Sequence, residues 1–197
     1  WLARLLERIA AAFPLLAPEI EVDITPNLTK ALIERRLDLA FLLGPVLHPE
    51  MRNINLATYG LEWIASRSLK LAREPIPLSE IARWPIITYL PSTRPYIAIS
   101  EMLAEEKIMH GRLYASASIS TMIPMILDGA GIGAIPSALV AAELRARKLR
   151  VLRVKNAPLP PLHYTASYPV RAASFVVPKV AELARHIAAA QGGDKDK

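Results

Sequence analysis

Hydroxyls and glycines, rather than acids, bases or thiols, are the residues whose placement in this chain could do chemistry. Thr25 with Asn27, Gly44, Ser92 with Thr93, and Ser116 with Ser118 and Ser120 each follow or end a stretch that reads as a β-strand. In open parallel sheets, ligands bind beyond the carboxyl ends of the strands. Helix N-termini at those ends offer free amides to anions. Donors of this kind can hold a small polar or anionic molecule, but they do not by themselves break a bond. Helix capping is the competing account of Thr25, Asn27 and Ser118, because a side-chain oxygen can satisfy an unpaired first-turn amide.

Signatures of catalysis are poor. His48, His110, His163 and His186 lie far apart, with no companion at ligand spacing, so no metal site is expected. The chain has no cysteine, which removes disulfides, thiolate chemistry and cysteine–metal sites. Neither a G-x-S-x-G elbow nor a P-loop is present. Asp38 enters an apolar strand, where a general base could sit. Without a placed partner it reads better as a cap or a hydrogen-bonded structural carboxylate. Arg94 could clamp a carboxylate through its two-pronged guanidinium, or be a plain loop arginine, and both readings stay open. Gly129, Gly131 and Ala134 match G-x-G-x-x-A, the dinucleotide fingerprint. That fingerprint needs a strand before the glycines and a helix after them. The order here is reversed, so no cofactor is expected.

The elements that must position these groups are organised around residues 117–140. Met122, Ile123, Met125 and Ile126 form an apolar helical run, Gly129 ends it, residues 132–135 read as a buried strand, and Pro136 opens another helix. Upstream, Leu2, Leu5, Leu6, Ile9 and Phe13 make one helical stripe, stopped by Pro14 and Pro18. Residues 20–24 alternate apolar and charged, which predicts a half-buried strand near a sheet edge. A turn at 25–27 leads to a helix carrying Leu28, Ala31, Leu32 and Ile33, then to a strand over 37–43 that ends at Gly44-Pro45. Helix, strand, helix, strand predicts a parallel α/β sheet. Further along, the pattern predicts a loop over 46–54, strands over 56–65, 86–89 and 113–116, and a helix over 96–107. A helix over 137–148, strands over 149–154 and 162–168, a loop over 169–173, a helix from about 177 to 190 and a disordered tail over 191–197 complete the chain.

With 197 residues and 52% hydrophobic content, the chain can fill one large core or two small ones. Its 24 basic and 18 acidic residues leave a net charge of +6. The run Arg145, Arg147, Lys148, Arg150, Arg153 and Lys155 reads either as a nucleic-acid patch or, preferably, as a solvated helix end with cations near the C-terminal dipole. No apolar run approaches the roughly 20 residues a membrane span needs. Opening on Trp1 inside a helical pattern, the chain reads as part of a longer polypeptide, and a cysteine-free composition suits the cytoplasm.

Taken in order, several stretches resemble the effector-binding domain of LysR-type transcriptional regulators. They are Phe13-Pro14, the run from Thr25 to Asp38-Leu39-Ala40, Gly44-Pro45, Leu61 to Ala65, Pro77-Leu78, Ile81-Ala82, and Trp84 to Ile87. Asp128 to Pro136 is the most specific piece. The resemblance covers nearly the whole chain. It implies an α/β, type 2 periplasmic-binding-protein-like fold, with two α/β lobes joined by two crossover strands and a small-molecule effector in the cleft. Lobe I would be residues 1–59 and 165–190, and lobe II residues 60–164. It further implies ligand contacts from Thr25, Asn27, Gly44, Pro45, Ser92, Thr93, Ser116, Ser118, Ser120, Ile135 and Pro136. Thr25 stands thirteen residues before Asp38, where the family places a cleft threonine. DNA would be bound only by a winged helix-turn-helix upstream of this chain, which also lacks the family's first lobe I strand. A homodimer through lobe I is implied, with a tetramer as a further option for the full-length protein, and no membrane partner. A solute-binding protein of a transporter, with the same fold, is the alternative. One departure stands out: Arg35 occupies the position where the family usually ends its second helix with glycine.

Overall fold

The computed structural model describes residues 1–171 and 174–192. The chain forms two units: Trp1–Thr58 with the return segment from His163, and Tyr59–Leu162. Unit 1 holds helices α1 (Leu2–Ala12) and α2 (Thr25–Ile33) and strands β1 (Ala40–Leu43) and β2 (Met51–Tyr59). The last strand, β10 (Leu162–Pro169), and the last helix, α7 (Val176–Gly192), complete it. Leu5 and Ile9 are one helical turn apart on α1 and pack against Val180 and Ala184 of α7. Leu28 and Leu32 of α2 cover Ala40, Leu42 and Val46 at the strand below.

The three-stranded sheet has the order β1-β10-β2. β1 runs antiparallel to β10, with Ala40 opposite Ser167 and Leu43 opposite Tyr164. This overturns the parallel sheet expected from the alternation of elements. Residues 20–24 form no strand; Ile20 and Val22 are exposed. No backbone ladder reaches that segment among the described residues, and alternation without a hydrogen-bonded neighbour does not make a strand. The expected loop over 46–54 is shorter, because β2 begins at Met51. The single strand expected over 56–65 is two: β2 ends at Tyr59, and β3 (Glu62–Ser66) starts after Gly60-Leu61, where the chain passes from one unit to the other. Of the expected tail, Gln191 and Gly192 belong to α7. Residues 193–197, and residues 172–173 of the expected loop, lie outside the described residues.

Unit 2 is built on a five-stranded sheet of order β6-β5-β7-β3-β8, using β5 (Ile86–Thr88), β6 (Leu113–Ala115), β7 (Ile132–Ile135) and β8 (Leu149–Leu152). β5 runs parallel to β6 and β7, while β3 is antiparallel to β7 and β8. Two short strands, β4 (Ile76–Pro77) and β9 (Val154–Lys155), pair beside it. One core layer gathers Trp63, Ile86, Ile99, Ile132 and Leu152 with helices α3 (Leu78–Ile81) and α4 (Arg94–Glu105). The other gathers Ile64, Ile87, Met122, Ile126 and Ile135 beneath α5 (Ile119–Leu127). Each such buried aliphatic side chain contributes about 1.5–3 kcal/mol relative to exposure. α4 starts two residues earlier than expected, because Pro95 is tolerated in a first helical turn. The helix expected over 137–148 is a 3-10 turn, Ser137–Val140, followed by α6 (Ala141–Arg145).

Residues 119–135 fold as read, helix then glycine stop then strand, while Pro136 opens a 3-10 turn rather than an α-helix. Gly129 has φ +73°, its N–H donates to the Ile126 carbonyl at 3.1 Å, and the Ala130 N–H reaches the Met125 carbonyl at 3.0 Å. A helix that stops in this way normally uses glycine at the left-handed residue. A Cβ at Gly131 would overlap the Pro85 carbonyl oxygen, so this glycine lets β7 lie close to its neighbour. The same helix exit recurs elsewhere without glycine. Arg35, Lys107 and Arg147 have φ of 58°, 55° and 55°. In each case the residue's own N–H and the next one return to carbonyls of the last helical turn, as in Arg36 N–H to Ala31 O at 2.8 Å. Arg35 therefore takes the left-handed conformation rather than a different exit.

Candidate functional site

On unit 1, Thr25 is the first residue of α2 and is half-buried. Its Oγ1 accepts the Leu43 N–H at 3.2 Å, tying the helix start to the last residue of β1. Thr25 and Gly44-Pro45 are thereby brought together, and the Thr25 O–H keeps its proton to donate. Capping does not explain Thr25, nor does Asn27 cap the helix. The N-cap is Ile24, with no side-chain cap. The Asn27 amide turns back instead, 3.0 Å from each oxygen of Asp23, and Asp23 accepts the Ile24 N–H at 2.7 Å.

Behind Gly44-Pro45 runs a buried polar chain that the sequence reading did not single out. Asn53 accepts the Val46 N–H at 2.9 Å and donates to the Val46 carbonyl at 3.0 Å, which fixes the orientation of its amide. Ser167 donates to Asn53 Oδ1 at 2.7 Å. The Ser167 proton is then used, so the Thr165 hydroxyl donates to Ser167 at 2.9 Å. Thr165 and Ser167 are fully buried. A Cβ on Gly44 would collide with Thr165 Oγ1, so only glycine fits beside this chain. The one signal in the sequence is the pair of hydroxyls two residues apart on one face of the strand.

On unit 2, the expected residues follow the C-terminal ends of the neighbouring parallel strands β5, β6 and β7. Thr93 stands just before α4, and its hydroxyl donates to the Leu90 carbonyl at 2.7 Å; Ser92 is exposed. The Ser116 N–H reaches the Thr88 carbonyl at 3.0 Å, and Ser116 Oγ accepts the Ser118 N–H, also at 3.0 Å. Ser118 occupies the N-cap position of α5 but makes no cap bond; its hydroxyl pairs with that of Ser120 at 2.7 Å. Of the first-turn amides of α5, that of Thr121 reaches the Ser118 carbonyl at 3.1 Å, which leaves those of Ile119 and Ser120 without an intrahelical acceptor. Ile135 sends its side chain into the core. After Pro136, the Ser137 N–H is occupied by Glu62 Oε2 at 3.1 Å. The Thr88 hydroxyl, at the end of β5, is fully buried with no hydrogen-bond partner in the protein.

The remaining candidates stay apart. Asp38 and Arg94 are exposed. His163 Nδ1 lies 2.9 Å from Thr58 Oγ1, and His48 Nδ1 accepts the Glu50 N–H at 3.2 Å. Among the described residues no group of His, Cys, Asp or Glu could hold a metal ion, and no helix is long and apolar enough to cross a membrane.

Residues 1–190 match the family model of the LysR substrate binding domain. The HTH-type transcriptional regulator PtxR of Pseudomonas aeruginosa is 27% identical over 177 residues, which is 85% of this chain and 56% of that protein. The chain thus spans little more than half the length of this relative. The regulatory domain of MetR, a LysR family regulator from N. meningitidis, superimposes with a TM-score of 0.76 at 16% identity, covering 96% of this chain and 88% of that one. The Synechocystis PCC6803 CcmR regulatory domain in complex with 2-PG gives 0.76 at 15% identity, over 95% and 90%. At such identities the likeness shows the fold, which is periplasmic-binding-protein-like. With the family model matched over 1–190, this chain belongs to the LysR substrate-binding domain family.

Proposed function

We propose that this chain is the effector-sensing domain of a DNA-binding transcription regulator. It binds a small, anionic metabolite and performs no catalysis. The observation that carries this reading is the character of the candidate residues: hydroxyl and amide donors at strand ends and a helix start, with no group among the described residues that could hold a metal ion. We assign ligand contacts to Thr25, Gly44 and Pro45 on unit 1, and to Ser92, Thr93, Ser116, Ser118, Ser120 and the backbone at Ile135-Pro136 on unit 2. Asn27 joins them only by releasing Asp23. The 2-PG held by the CcmR domain is consistent with a small ligand on this fold. The two units serve as the lobes.

In the whole regulator, a helix-turn-helix outside this chain supplies operator recognition; that PtxR is an HTH-type transcriptional regulator supports this reading. The fragment alone then shows no sequence preference on DNA. The transporter alternative shares the fold, but the family match favours a regulator. Calorimetric titration of the chain with a panel of small organic and inorganic anions tests the sensing role. Saturable binding of one member at micromolar to millimolar affinity is expected. Turnover of a bound compound would replace the sensing reading with an enzymatic one.

A further inference from the structure

The cations that look dispersed along the sequence gather at one end of the unit 2 sheet, and this end is opposite to the candidate ligand residues. Those residues follow the C-terminal ends of β5, β6 and β7. The opposite end carries the exit of β3 and the entry to β8. There the Arg67 N–H donates to the Lys148 carbonyl at 3.0 Å, which sets two cationic residues side by side. Arg150 Nη2 donates to the Leu69 carbonyl at 2.9 Å and pins the turn that bears Lys70. Arg147 is the left-handed residue that closes α6, and Arg145 lies in the last turn of that helix. Arg67, Lys70, Arg145, Arg147 and Lys148 are all exposed. The local acids are Asp128, in the turn packed against Ser68 and Leu69, and Glu143.

Elsewhere six exposed cations are paired with carboxylates, while others, such as Arg4, Arg8, Arg52 and Arg112, are in no ion pair among the described residues but are not gathered with those of this surface by a backbone contact. The six ion pairs among the described residues use Lys30, Arg35, Arg36, Arg83, Arg153 and Arg185, and none uses a cation of this surface. The surface also lacks an apolar centre. Protein interfaces draw their affinity from buried aromatic and aliphatic anchors, and the one large exposed hydrophobic residue nearby is Val151, at 39%. Arginine forks and lysines held on turns, without such an anchor, suit phosphates.

We propose that this end of unit 2 docks the phosphate backbone of duplex DNA, without reading its sequence. The proposal goes beyond effector sensing, and its choice of duplex DNA rests on the regulator reading above. In a regulator held on its operator elsewhere, such a contact would act on DNA already nearby, so weak intrinsic affinity suffices.

Fluorescence anisotropy of a labelled random-sequence duplex of about 30 base pairs, titrated with the chain at about 50 mM salt, should give a Kd of about 10⁻⁴ M or tighter. The plot of log K against log salt should have a slope of about −3, the release expected for three to four neutralised phosphates. Arg147→Glu with Lys148→Glu should weaken binding about tenfold. Arg35→Glu with Arg36→Glu makes the same charge change at the same two positions of a helix exit on unit 1, and should shift it less than about twofold. If the glutamate pair melts early, Arg147→Gly with Lys148→Ala replaces it, against Arg35→Gly with Arg36→Ala, with the same ordering expected. No retention of DNA at low salt, equal losses from the matched pairs, or binding to polyglutamate with none to DNA would each overturn the proposal. Effector titration is a separate measurement, so either reading can fail alone.

Discussion

The Thr25 hydroxyl accepts one hydrogen bond, from the Leu43 amide, and retains a proton. Thr25→Val keeps the shape and removes both. A ligand oxygen that loses this donor inside a desolvated site costs roughly 1–3 kcal/mol, a tenfold to hundredfold loss of affinity. The fold should survive with a penalty of about 1 kcal/mol for the unpaired Leu43 amide. Calorimetry beside thermal melts separates the two effects: unchanged affinity with a lower melting temperature would leave Thr25 as a purely structural tie. Arg35 makes the opposite case, a residue whose replacement should help. Its left-handed backbone costs an L-residue about 1–2 kcal/mol, and its contact with Glu50 is long, at 3.8 Å, and exposed. Arg35→Gly should therefore raise the melting temperature by about 2–4 °C in a chain of this size. A fall would mean that the Glu50 contact outweighs the strain.

Between the residue and the whole chain, the stretch over 119–135 was legible because each of its signals is local. A helical period, a glycine stop and a buried apolar tetrapeptide need no partner to be recognised. Its glycines also make distinct demands. At Gly131 an added methyl meets the Pro85 carbonyl, part of a backbone held in the sheet; at Gly133 it meets the tip of Ile126, which can rotate. Gly131→Ala should cost about 1–3 kcal/mol, and Gly133→Ala less. Denaturant unfolding of the two variants checks the order, and a reversal would show that the Ile126 packing is the stiffer of the two. Other features were not legible, for the opposite reason. Residues 20–24 alternate like a strand, but pairing depends on what lies beside them. The buried chain through Ser167 and Asn53 joins positions 114 residues apart, which no local pattern records. At the candidate site, the hydroxyls were found by type and by strand end. Thr25's actual partner, Leu43, depends on the tertiary fold, whereas Asn27's, Asp23, is local; together they corrected the capping account.

At the scale of the molecule, unit 1 leaves apolar surface uncovered. Leu2 on α1 is 41% exposed, Leu15 is fully exposed, and Ile20 and Val22 reach 52% and 90% in the extended segment that follows. These residues are consecutive elements of one unit, whereas a lone chain usually scatters such side chains singly. A second copy is the simplest cover, because a self-complementary patch closes with two-fold symmetry and leaves no open face to extend into a fibre. The backbone over 17–23, which no ladder reaches among the described residues, adds hydrogen-bonding capacity that such a pairing could use. The chain should therefore sediment as a dimer at high micromolar concentration. Leu2→Glu with Val22→Glu should shift it to monomer, since each places a charge where a desolvated contact is required. Leu47→Glu on the same unit is the control: that side chain is 92% exposed but lies in the loop after Gly44-Pro45, and its replacement should leave the dimer intact. Monomer alone for the unaltered chain, or equal dissociation by the control, would remove unit 1 as the pairing surface, and the exposed hydrophobics would need another cover.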